Sequence, residues 1–126
     1  MISLDGLNAV TAGNTPYEFE YKFNNGKGSG VFLQILGSES EKVAVETAAI
    51  IASERAREQT TKEAGKEYEF DAVKVGKELA AVRIAGWRGI KEDYSPDNAK
   101  KLCASNQMIA DQVMKNSNSL ENFIKL

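Results

Sequence analysis

In this 126-residue chain, the side chains suited to chemistry by type and spacing are the paired carboxylates, one thiol, a glycine cluster and the aromatics. Glu39/Glu41, Glu54/Glu58, Glu67/Glu69 and Glu92/Asp93 each set two carboxyls close together, as acid–base catalysis would need. All four pairs fall in polar stretches and read as solvated surface carboxylates, not as an acid–base pair. The chain has no histidine, so the commonest general base and catalytic metal ligand is missing. Cys103 is the only cysteine; it sits at an apolar helical position without an imidazole partner and reads as a buried thiol, not a nucleophile. Gly26, Gly28 and Gly30 have the composition of a phosphate-cradling loop, but no Gly-Lys-Ser/Thr follows and no helix opens behind them, so they read as a hairpin turn. These residues point to no catalytic, cofactor-binding or metal-ligating site, and the expectation is a protein that works by binding, without a cofactor.

Two aromatic features could serve recognition. Trp87, between Gly86 and Gly89, reads as a core anchor in preference to a binding platform. Tyr17, Phe19, Tyr21 and Phe23 could stack on bases, but Glu18 and Glu20 beside them repel phosphate, and packing onto helices explains the stripe better. The 16 basic and 18 acidic residues, net −2, are interspersed, with Lys100-Lys101 the densest basic cluster, so nucleic acid is not expected as a partner. A lone cysteine excludes an internal disulfide and fits a reducing cytoplasm. The start, Met1 to Gly6, does not read as a signal peptide, and no apolar run approaches the ~20 residues of a membrane span.

The elements that must position these residues follow from periodicity. Residues 1–15 read as an irregular lead-in or short edge strand. Alternation from Tyr17 to Phe23, the glycine-rich turn and the apolar run Val31–Leu36 predict a β-hairpin over 17–36. Its second strand is apolar on both faces at Phe32, Leu33, Ile35 and Leu36, which predicts cover on both sides from helices or another subunit. Ser38 and Glu41 have capping-box spacing and predict a helix with Val43, Ala44, Ala48, Ile51 and Ala52 inward and a polar far end, where Glu58 and Lys62 pair. A central buried helix is predicted over 68–85, with Gly76 accepted because another backbone passes close by, and Gly86 or Gly89 as its stop. Ser95-Pro96-Asp97 starts a helix over 96–104 that buries Ala99, Leu102 and Cys103; Ser105 caps another over 106–116 with Met108, Ile109 and Val113 inward. The expected fold is a single α+β domain over 1–126, mainly helical: lead-in and N-terminal β-hairpin over 1–37, then about four helices over 38–126.

Residues 79–123 carry a further pattern. Ala85, Gly86, Trp87, Gly89 and Ile90 are followed by Ser95, Asn98 and Leu102, then by Ile109, Gln112 and Val113, and finally by Asn122 and Phe123. This block resembles the tail assembly chaperones of long-tailed bacteriophages, although Lys91-Glu92-Asp93-Tyr94 replaces the longer linker with an Asp-Gly-x-Pro turn usual in them. The resemblance implies a small, mainly helical protein of the host cytoplasm that engages the tape measure protein and helps recruit tail tube subunits. In it Gly86, Trp87, Gly89, Ser95, Asn98, Asn122 and Phe123 are structural signatures. The surfaces expected to serve client binding or self-association into a homo-oligomer are Phe32, Ile35, Leu120, Phe123 and Leu126, together with the small residues of the first helix. Two other readings are a structural virion component, such as a tail tube or tail completion protein assembling by strand pairing, and a phage inhibitor that binds a host protein.

Overall fold

The computed structural model describes residues 1–125. Tyr17–Lys22 (β1) and Gly28–Ile35 (β2) form the expected antiparallel hairpin, with Tyr17 opposite Ile35 and Phe19 opposite Leu33. At its tip the Gly26 N–H donates to the Phe23 carbonyl and the Phe23 N–H to the Lys27 carbonyl, both at 2.9 Å, with Gly26 at φ 81°. A left-handed residue closing so tight a turn is the conformation glycine takes without a Cβ clash.

A third strand, β3 (Ile84–Arg88), pairs antiparallel with β2 and makes the order β1-β2-β3. The helix expected over 68–85 therefore divides: helix α3 covers Ala72–Ala81 only, residues 66–71 form no regular element, and Ile84 onwards is sheet. Ile84 and Gly86 are buried while Ala85 and Trp87 are half-buried, a period of two concealed within a longer apolar run. Pairing with β2 decides the outcome, since strand preference is mainly a matter of cross-strand partners. The mainly helical α+β class holds, with helices α2 (Glu41–Glu63), α4 (Pro96–Ser105) and α5 (Gln107–Ser117) completing it. The lead-in is helical, not an edge strand: a 3-10 turn over Asp5–Leu7 and a short helix α1 (Ala9–Gly13) capped by Asn8.

The core forms on one face of the sheet. Leu33, Ile35 and Ile84 meet Ala80 and Ala81 of α3, Ala99 and Cys103 of α4, and Ile109 and Val113 of α5. Among the described residues no helix covers the other face, so of the two covers expected for β2, helices or another subunit, the first is absent there. There the Arg88 guanidinium lies 3.8 Å from the centre of the Phe32 ring and bonds Glu18 at 2.9 Å, and Gln34 donates to the same carboxylate at 3.2 Å. A cation–π contact and an ion pair thus shield Phe32 in place of a second layer.

Capping chemistry sets the helix starts. Ser40, buried, accepts from the Val43 N–H and opens α2, while Ser38 turns instead to Ser117 at 3.0 Å and Arg83 at 3.4 Å. Asp71 caps α3 through the Lys74 N–H, and Ser95 caps α4 through the Asn98 N–H with Pro96 in its first turn. The expected Ser105 cap does not form: its hydroxyl donates to the Lys101 carbonyl at 2.8 Å, and α5 opens at Asn106 without a side-chain cap.

Helix α2 is the largest departure in packing. Val43 is its only buried residue; Ala44, Ala48, Ile51 and Ala52 face solvent. The half-buried positions are Glu46, Thr47, Ile50, Glu54, Glu58 and Thr61, so the helix meets the body along the Val43/Thr47/Ile50/Glu54 line, roughly 100° from the mean direction of Ala44, Ala48, Ile51 and Ala52. Helix α3 is likewise buried only at its last turn, with Val73 at 60% exposure. Beyond its own helix, no atom of the described residues lies within 4 Å of the position a Cβ on Gly76 would take, so no backbone from another element explains that glycine.

Candidate docking groove

Because α2 leans on α3 along a narrow line, it leaves a groove on each side. The larger, about 800 Å³, runs between α2, α3 and α4: Ala49, Ile50, Val73 and Val82 supply apolar wall, and Glu46, Lys74, Lys77, Glu78 and Lys100 supply charge. It offers room for about two turns of a helix roughly 10 Å across. The smaller, about 470 Å³, lies on the other side and is lined by Ile50, Ile51, Tyr68, Phe70, Val75 and Leu79. Phe70 and Val73 remain 57% and 60% exposed, an apolar rim that solvent alone covers.

A polar clamp fixes the angle at which α2 stands. The Tyr68 hydroxyl donates to a Glu54 carboxylate oxygen at 2.6 Å, and that oxygen also accepts from Arg57. Arg57 in turn donates to the Glu69 carbonyl at 2.8 Å and lies 4.7 Å from the centre of the Tyr68 ring. The 66–71 segment is thereby tied to the middle of α2. The hydrogen bond from Arg57, followed by that from Tyr68, holds the Glu54 carboxyl below its ordinary value, while the same Glu54 contact raises the Tyr68 phenol. Glu54 is thus an ionised acceptor at neutral pH, not an acid–base group, and Glu58 pairs with Lys62 at 3.5 Å as its spacing predicts. The other acidic pairs, Glu39/Glu41, Glu67/Glu69 and Glu92/Asp93, are exposed.

Cys103 is fully buried, and burial pushes its thiol up to about 11. Among the described residues no three His, Cys, Asp or Glu side chains converge as a metal site, and no helix is long and apolar enough to cross a membrane. Arg83 is buried at 7% exposure, with Nη1 donating to the Leu79 carbonyl at 2.5 Å; desolvation lowers its pKa.

The residues expected to form a contact surface are dispersed. Ile35 is completely buried and Phe123 is 9% exposed, packed edge-on against Tyr17, so neither offers accessible area. Phe32 is half-buried under Arg88, Leu120 is 49% exposed beside the last turn, and Leu126 lies outside the described residues. The signature residues hold the body together. Trp87 donates from Nε1 to the Glu92 carbonyl at 2.9 Å and meets Tyr94 edge-on. Asn98 donates to the Asp93 carbonyl and Asn122 to the Asn116 carbonyl, both at 3.0 Å. Gly86 lies against the Gln34 side chain, and Gly89, at φ 87°, lies where a Cβ would come within 2.1 Å of the Gly30 carbonyl oxygen. Sequence marked Glu54 only as half of a carboxylate pair and did not connect it with Arg57 or Tyr68; the i,i+3 spacing of Glu54 and Arg57 is the local signal of the clamp.

Each edge strand has one end occupied by a side chain. Gln112 accepts from the Lys22 N–H at 3.1 Å and donates to the Lys22 carbonyl at 2.7 Å, occupying the end of β1, and the Tyr94 hydroxyl takes the Ile84 carbonyl of β3 at 2.8 Å. Side chains there fill groups that strand pairing would use.

No protein-family model matches the chain, and no curated protein or solved structure matches it either.

Proposed function

We propose that this protein is a non-catalytic tail assembly chaperone that holds helical segments of a tape measure protein in the groove between α2 and α3. The observation that carries the reading is the groove itself. An amphipathic helix laid there would bury its apolar face on Ala49, Ile50, Val73 and Val82, with lysines and glutamates alongside to meet its polar flanks. The resemblance of residues 79–123 supplies the kind of client: a long, helical, aggregation-prone protein. The signature residues support the reading indirectly, since they fix the body from which α2 stands out.

Gln112 at the end of β1 and Tyr94 at the end of β3 shorten the edges that a tail tube subunit would offer for strand pairing, which favours the chaperone reading over that alternative. The reading is tested by co-expression with the tape measure protein encoded in the same genome. The expected result is a soluble complex that co-elutes on size exclusion, and a client that stays insoluble overturns it.

A further inference from the structure

The stripe of α2 that faces solvent is self-complementary when reversed. Glu41, Ala48 and Arg55 stand seven residues apart and share one line along the helix, drifting only roughly 20° per heptad. Ala44 and Ile51 flank that line on one side, Val45 and Ala52 on the other. All seven are exposed, Val45 at 70% and Ile51 at 44%, and Glu41 and Arg55 make no ion pair among the described residues.

From this pattern we infer that α2 pairs with α2 of a second copy of this chain, antiparallel, about a two-fold axis at Ala48. In that register Glu41 meets Arg55 of the second copy and Arg55 meets its Glu41, closing an ion pair at each end. Same-side flanks face each other across an antiparallel two-fold, so Ala44 meets Ile51 and Val45 meets Ala52: each larger side chain opposes an alanine, and Ala48 opposes itself. Small residues at the centre let the backbones approach closely. A parallel pairing would set Glu41 on Glu41 and Arg55 on Arg55, so charge selects the antiparallel form. A client helix would gain the apolar contacts but has no reason to carry the matching charges fourteen residues apart in reverse order. The stripe lies on the side of α2 turned away from the larger groove, so the inference does not rest on the chaperone reading.

A helix pair of about four turns falls at the small end of specific interfaces, so the dimer is reversible, with a dissociation constant on the order of 10–100 μM. Sedimentation velocity of the full chain from micromolar to millimolar concentration reads it. Ala48→Arg, at an exposed helical position, is expected to leave the protein monomeric throughout. Glu41→Arg alone and Arg55→Glu alone each place like charges at both ends and are expected to weaken the dimer by roughly 5–30-fold. An equimolar mixture of these two single variants restores opposite charges at both ends and is expected to recover association, which a folding defect could not do. Far-UV circular dichroism confirms that each variant keeps its helices. A wild-type chain that stays monomeric at millimolar concentration, a dimer that survives Ala48→Arg, or a mixture no better than its components overturns the inference.

Discussion

The signature glycines and the thiol show how single residues are fixed by their surroundings. Gly89 combines a left-handed backbone with a 2.1 Å approach between its missing Cβ and the Gly30 carbonyl oxygen, and the obstacle is backbone, which cannot swing aside. Gly89→Ala should therefore cost about 2–4 kcal/mol, read as a lower urea midpoint with an unchanged slope. Gly86 faces only the Gln34 side chain, so the same substitution there should cost less. Cys103, neutral up to about 11 because burial opposes the thiolate, should react with a maleimide at pH 7–8 far more slowly in the native protein than in urea. Equal rates would mean the α4–α5 core opens readily. That Cys103 is buried was legible in the sequence, since its neighbours repeat at helical spacing; the contact between Gly89 and Gly30 was not, because 59 residues separate the two strands.

Among the elements, the hairpin, α4 and α5 were legible because periodicity and capping agree there: Ser95-Pro96-Asp97 has few other meanings. Strand β3 was not, because Ile84 to Trp87 continue an apolar run without a break and only pairing with β2 reveals their period. The stripe of α2 was correctly read as apolar and assigned to the wrong side, since amphipathicity says that a face wants cover but not from whom. Gly76 has open space around it, so Gly76→Ala should stabilise the protein by about 0.5–1 kcal/mol and raise its Tm. A drop in Tm would expose a contact at that helix position. The Glu54 clamp predicts a pH response: its carboxyl is held below the ordinary value, first by Arg57 and then by Tyr68. The stabilisation it gives is present above the unfolded carboxyl pKa of about 4.3 and is lost as pH falls through the lower folded value. Amide exchange in the far half of α2 should therefore speed up relative to the body in acid. Tyr68→Phe should bring part of that change to neutral pH, whereas an exchange pattern blind to both would dismiss the clamp.

For the whole molecule, the division of labour follows from where apolar surface is spent. The sheet, α4 and α5 bury theirs on one another, leaving α2 and the start of α3 with exposed Val45, Ile51, Phe70 and Val73. Such surface on a small chain is what a partner would cover: as proposed, a client in the groove and a second copy on the outer stripe. The candidate site was only partly legible from sequence because it is made by the angle between two helices, which the 66–71 segment and its clamp set. The most direct measurement is a titration of a soluble tape measure helix segment against the wild-type chain and against Val73→Asp, followed by calorimetry. Val73 is exposed on the wall of the groove, so the variant should fold; the account predicts micromolar binding to the wild type and a loss of about tenfold or more in the variant. Equal binding by the two proteins, or none by either, would contradict the groove as the client site.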